Sequence, residues 1–219
     1  MHNTVKNLSE IKDNIKIELN KLNINNNPKI VAVSKTFKID KILPLIEYGH
    51  HDYGENKVQE ALMKWTEIKK INPKIRLHMV GKLQTNKVKF AVKIFDYIHS
   101  VDSEKLAKKI VDEQNKINKK IKVFLQVNIG DENQKSGINK SEVEQLFFVC
   151  KEIGLNVVGL MCIPPINVDP EIYFSEMSKL KKDLDLPELS MGMSSDFLAA
   201  VKHSSTFVRI GSSIFGQRS

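Results

Sequence analysis

The chain has 219 residues, 41% of them hydrophobic and 27% charged, the balance of an ordinary globular protein with a sizeable core rather than of a disordered one. Its 34 Lys and Arg against 26 Asp and Glu leave a net charge of +8; the lysines are spread along amphipathic segments such as Glu104-Lys105-Leu106-Ala107-Lys108-Lys109, without clustered arginines among aromatics, which argues against a nucleic-acid partner. Two cysteines without a C-x-x-C, no apolar run near the ~18–20 residues of a membrane helix and no leader-like N-terminus point to the reducing cytoplasm, with neither a disulfide framework nor a membrane partner.

In chain order, Leu8, Ile11, Ile15, Leu19 and Leu22 fall at helical spacing and predict a first helix over 5–22. The asparagine-rich stretch 23–28, closed by Pro28, ends it. A β-branched strand over 29–33 follows, then a helix over 40–48, a weak strand over 51–53 and a helix over 57–68. Strands over 75–80, 97–101, 121–127, 157–161 and 206–210, with a weak one over 188–190, alternate with helices over 103–118, 141–153, 170–184 and 195–203. Apolar strands alternating with helices in this way indicate parallel βα units. Eight such units make a (β/α)8 TIM-type barrel of the α/β class, a single domain over 1–219 with an extra N-terminal helix. The alternative, an open doubly wound sheet, wants a glycine-rich turn after its first strand. Ser34-Lys35-Thr36 supplies none.

The active site of such a barrel lies where strands end and helices begin. Lys35 stands at the end of a buried apolar strand, where burial disfavours the ammonium and favours a nucleophilic amine able to form a Schiff base. Ser190-Met191-Gly192-Met193-Ser194-Ser195 and Arg209-Ile210-Gly211-Ser212-Ser213 close the last two strands with glycine and hydroxyl residues. Phosphate sites recur at that place in this fold.

The ordered set of motifs resembles one family, the pyridoxal 5'-phosphate (PLP) homeostasis proteins of the YggS/PROSC type. It comprises Val31-Ala32-Val33-Ser34-Lys35-Thr36, Tyr53-Gly54-Glu55-Asn56 with Val58-Gln59-Glu60, and His78-Met79-Val80-Gly81-Lys82-Leu83-Gln84-Thr85-Asn86-Lys87. Val127-Asn128-Ile129, Lys135-Ser136-Gly137-Ile138, Gly159-Leu160-Met161, Ser190 to Ser194 and Val208 to Gly211 complete it. The resemblance implies a barrel similar to the alanine racemase N-terminal domain, with PLP on Lys35 as a Schiff base. It implies that Arg209 faces the pyridine nitrogen, that Ser194, Gly211 and Ser212 hold the phosphate, and that Asn56 and Met191 line the pocket. It departs from the family only at Tyr53, where phenylalanine is common, and at the variable Lys82. The implied role is PLP homeostasis, binding PLP and buffering or delivering it to apo PLP-dependent enzymes as a monomer, without strong catalytic activity and without a metal.

The alternative is a PLP-dependent amino-acid racemase. An arginine at the ring nitrogen cannot keep that nitrogen protonated, so it weakens the cofactor as an electron sink. The resemblance implies that alanine racemase adds a tyrosine base from a second, C-terminal domain. That domain is expected to be absent from a sequence ending at Ser219, and Tyr48, Tyr53, Tyr97 and Tyr173 match no such base. His78 reads as a satisfied core histidine, His50-His51 as no metal site, and Cys162 as a buried thiol. Lys135 is a candidate amine for passing PLP to a recipient.

Overall fold

A computed structural model describes residues 2–132, 134 and 136–217. Helix α1 (Asn3–Leu22) buries Val5, Leu8, Ile11, Ile15 and Leu19 and stops where Asn23 turns left-handed at φ 51°, a conformation asparagine tolerates better than most residues. The strands are β1 (Lys29–Val33), β2 (Asp52–Glu55), β3 (Arg76–Met79), β4 (Tyr97–Val101), β5 (Lys122–Asn128), β6 (Ile138–Asn139), β7 (Asn156–Cys162), β8 (Glu188–Ser190) and β9 (Phe207–Ile210). They run in the order β4-β3-β2-β1-β9-β8-β7-β5, and a β4–β5 pairing closes them into a parallel eight-stranded barrel, with the two-residue β6 appended to β5. The expected TIM-type barrel with an extra N-terminal helix is therefore the fold observed.

Alternation along each strand divides the apolar residues into two cores. Ile30 and Ala32 of β1 face the surrounding helices, while Val31 and Val33 join Tyr97, Phe124, Met161 and Phe207 inside the barrel. Among the described residues, the outer layer contains α2 (Leu43–Glu47), α3 (Val58–Ile71), α4 (Val88–Ile94), α5 (Glu104–Lys116), α6 (Val143–Glu152), α7 (Glu171–Asp183), α8 (Phe197–Lys202) and α9 (Ser212–Phe215).

Besides the short β6 and α9, which the sequence pattern does not predict, three segments differ from the sequence expectation. The helix over 40–48 is split into a 3-10 turn at Ile39–Lys41 and the short α2, whose first turn holds Pro44; proline starts a helix well but cannot continue one. The strand expected over 51–53 extends to Glu55. Helix α4 was not anticipated, because Val88, Phe90, Val92 and Ile94 alternate with polar or small residues as a strand would; burial of Val88, Ala91 and Val92 decides for the helix.

Among the described glycines the least room for a side chain is at Gly159, where an added Cβ would lie 2.1 Å from the Glu188 carbonyl oxygen of β8. That oxygen belongs to the paired strand and cannot step aside. Gly159→Ala should therefore cost about 3 kcal/mol or more, read as a lowered urea midpoint with an unchanged m-value.

Candidate functional site

At the C-terminal mouth of the barrel lies a cavity of about 620 Å³, within the range of small-molecule sites. Lys35 lines it from the end of β1, Arg209 from β9, and Ser194, Ser195, Gly211 and Ser212 from the two loops after β8 and β9. Val33, Val80, Ile163 and Met193 give it apolar walls. Five of the seven residues expected from the sequence thus meet in one place.

The backbone around Lys35 is fixed from both sides. Ser34 is buried, donates its hydroxyl to Glu55 Oε1 at 2.8 Å and receives Lys64 Nζ on its carbonyl at 2.9 Å. Thr36 has φ 69° and donates its N–H to Glu60 Oε1 at 2.6 Å. A β-branched residue rarely adopts this left-handed conformation. The Glu60 carboxylate holds it there, and Lys64 bridges Glu55 and Glu60. Neither acid was singled out from the sequence, although both stand in quoted motifs.

Arg209 is 5% exposed as a residue. Its Nη1 donates to Ser190 Oγ at 2.7 Å and its Nη2 to the Cys162 carbonyl at 2.9 Å. Burial pulls its pKa down from the ordinary value, yet a guanidinium remains charged at neutral pH. Burial also pushes the Cys162 thiol up to about 12, so it is an inert core group rather than a nucleophile. Gly192 turns the chain at φ 91°, where a Cβ would meet that of Ala200 at 2.6 Å. Gly211 passes the β1 end so closely that a Cβ would lie 3.3 Å from the Val33 carbonyl.

Two expected residues stand outside the cavity walls. Ser190 points inward, so the next residue, Met191, points outward and is fully buried in the core beneath the helices. Asn56 lines a neighbouring cleft with Lys57, Lys82 and Lys87, its backbone pressed against Gly81. Lys135 lies outside the described residues.

The interior below the mouth holds His78 and His99, both fully buried. His78 stacks on Tyr97 at 4.4 Å and His99 on Phe124 at 4.3 Å between ring centroids. Burial lowers the pKa of each and takes that of His50 from 6.5 to about 4. A histidine neutral when folded but protonated when unfolded stabilises the fold above its unfolded pKa. That contribution is lost as pH falls from about 6.5 to about 4, up to about 3 kcal/mol for His50 alone. Asp52, whose carboxyl is held low by hydrogen bonds from Arg76 and His78 against the opposing effect of burial, weakens the fold only at still lower pH. Urea midpoints should therefore drop between pH 7 and pH 4.5, and less steeply in His50→Gln.

Barrel, lysine at the end of β1, arginine on β9 and glycine–serine loops between them define a protein of the alanine racemase N-terminal class, and the family model for the alanine racemase N-terminal domain matches residues 7–219. The alanine racemase of Clostridium difficile 630 shares 16% identity at a TM-score of 0.68, over 94% of this chain and 57% of that one, a likeness of fold alone. PipY of Synechococcus elongatus PCC7942 is nearer, at 32% identity over 92% of this chain and 100% of that one; TM-scores are 0.81 for its structure without PLP and 0.75 for that with PLP bound. The pyridoxal phosphate homeostasis protein of Aquifex aeolicus is 38% identical over 200 residues, 87% of each chain. The chain belongs to the pyridoxal phosphate homeostasis protein family.

Proposed function

We propose that this chain, as a single barrel domain over 1–219, binds PLP covalently at Lys35 and buffers it or delivers it to apo PLP-dependent enzymes. The observation carrying this reading is the convergence of Lys35 and the buried Arg209 on one mouth cavity. The donor set fits the cofactor: an amine for its aldehyde, a guanidinium for its ring nitrogen, hydroxyls and a side-chain-free glycine for its phosphate, and apolar walls for the ring faces. When bound, PLP supplies an aldehyde that a recipient's amine can take over by exchange. Lys35 would hold the aldehyde through its amine, Arg209 would orient the ring, and Ser194, Gly211 and Ser212 would hold the phosphate.

Carriage is favoured over racemisation because the cavity walls contain no tyrosine among the described residues, and Tyr53 and Tyr97 are both buried away from it. No described helix is long and apolar enough to cross a membrane, which agrees with a cytoplasmic carrier. Light scattering should return a monomer. Borohydride reduction of the PLP-loaded protein followed by peptide mapping should place the phosphopyridoxyl group on Lys35. An adduct elsewhere refutes the assignment, and sustained loss of L-alanine circular dichroism favours the racemase. Ser194→Ala should weaken PLP retention by ~1–3 kcal/mol, the worth of one charge-assisted hydrogen bond, measured by equilibrium dialysis.

A further inference from the structure

Four hydrogen bonds join the mouth of the barrel to its far end. Arg209 Nη1 lies 2.7 Å from Ser190 Oγ, which lies 2.8 Å from His99 Nδ1. His99 Nε2 lies 2.9 Å from His78 Nδ1, and His78 Nε2 lies 3.0 Å from Asp52 Oδ1. Five strands contribute one residue each: Arg209 from β9, Ser190 from β8, His99 from β4, His78 from β3 and Asp52 from the start of β2. Asp52 is closed off by Arg76, whose Nε and Nη2 lie 2.7 and 2.5 Å from its two carboxylate oxygens.

The proton positions follow from the ends of the chain. A carboxylate can only accept, so His78 Nε2 carries a proton and donates it. Neutral His78 then has a bare Nδ1, which requires a proton on His99 Nε2. His99 Nδ1 is in turn bare and accepts the Ser190 hydroxyl proton, while Ser190 Oγ accepts from the guanidinium. Every donor thus points the same way, from the Arg209 cation to the Asp52 anion, and bonds so aligned polarise one another.

We propose that Asp52, His78, His99 and Ser190 are positioning residues that form a one-way relay, fixing the Arg209 guanidinium and coupling its charge to a counter-carboxylate at the opposite end of the barrel. This rests on the reading of Arg209 as the partner of the PLP ring nitrogen. The relay lowers the effective positive charge that Arg209 presents to the cofactor, so breaking it should disfavour the protonated form of lysine-bound PLP. Several charged and titratable groups surround the relay. Arg76 pairs with Asp52, His50 Nε2 lies 2.9 Å from the Asp52 carbonyl, the Asp96 carboxylate acts on His78 and Arg76, Tyr97 packs on His78 with Lys122 Nζ 3.3 Å from its hydroxyl, and the Cys162 thiol and Asp196 carboxylate act on Arg209.

Two measurements test it. In the protein without PLP, nitrogen-15 spectra should show His78 and His99 as neutral Nε2–H tautomers from pH 6 to 8. An Nδ1–H tautomer or an imidazolium at either overturns the direction of the chain, with no variant needed. In the PLP-loaded protein, Ser190→Ala should lower the titration midpoint of the visible band by about one pH unit. Asp52→Asn, far from the cofactor, should move it the same way. Glu188→Gln, which removes a carboxylate near the same end but off the chain (Glu188 pairs with Lys29), should leave it in place. Normal loading with an unmoved midpoint in Ser190→Ala, or equal shifts in Asp52→Asn and Glu188→Gln, overturns the relay and leaves the PLP site standing. Failure of the unaltered protein to take up PLP overturns the site reading, and the relay's role with it.

Discussion

Lys35→Ala should emerge from PLP loading and desalting without a visible band and without a borohydride-fixed adduct. The covalent bond is then gone, and what remains is the phosphate and ring contacts of Ser194, Gly211, Ser212 and Arg209. Those contacts are shared with water at a mouth that is open to solvent, so retention should fall at least 100-fold, about 3 kcal/mol. The fold should tolerate the change. Lys35 is only half-buried just beyond β1, and Glu55, Glu60 and Lys64 fix the chain on either side of it through Ser34 and Thr36, contacts that the substitution leaves in place. The urea midpoint should therefore stay within ~0.5 kcal/mol of the unaltered protein. A variant that still gives a reduced adduct at another lysine would move the attachment site elsewhere. One that unfolds would show that Lys35 is structural.

Much of this site could be read from the sequence, because its parts sit next to the features that reveal them. β1 is a run of apolar residues ending in a lysine, and the loops after β8 and β9 announce themselves by glycine and serine. Burial on both faces makes parallel strands continuous apolar runs, so six of the eight barrel strands stand out. β2 and β8 stood out less, because their inner faces carry Asp52, Gly54, Glu188 and Ser190. Those same residues are what the sequence could not connect. The relay gathers residues 52, 78, 99, 190 and 209, which only barrel closure brings within hydrogen-bond reach. His78 could be read singly as a core histidine, but its partner His99 lies 21 residues away with no local pattern joining them. Met191 shows the opposite limit: family motifs place a residue near a pocket, while strand alternation decides which side of the sheet it faces.

Glu55→Ala should be among the most destabilising single changes in this protein. The Glu55 side chain is fully buried on the outer face of β2. Its Oε1 accepts from Ser34 Oγ at 2.8 Å, Lys64 Nζ at 2.9 Å and Trp65 Nε1 at 3.0 Å. Alanine would strand a buried indole N–H, leave the Ser34 hydroxyl only the longer bond to the Gly54 carbonyl at 3.4 Å, and leave Lys64, whose side chain is only 10% exposed, with Glu60 as its remaining carboxylate. Removing the acceptor shared by the three donors leaves the indole unpaired and Lys64 with one carboxylate instead of two, and the expected cost is ~2–5 kcal/mol, a large share of the ~5–15 kcal/mol that holds a domain together. Glu55→Gln keeps an acceptor in place and should lose less than half as much. Because the same knot pins Ser34 and, through Lys64 and Glu60, Thr36, the surviving fraction of Glu55→Ala should also load PLP more slowly at Lys35. A double-mutant cycle with Lys64→Met separates the two contributions. If the cost lies in the ammonium that has lost its buried carboxylate, Glu55→Ala/Lys64→Met should recover about one to two of those kcal/mol, while PLP loading stays slow. Additive losses in the cycle would place the cost in the hydrogen bonds to Ser34 and Trp65 instead.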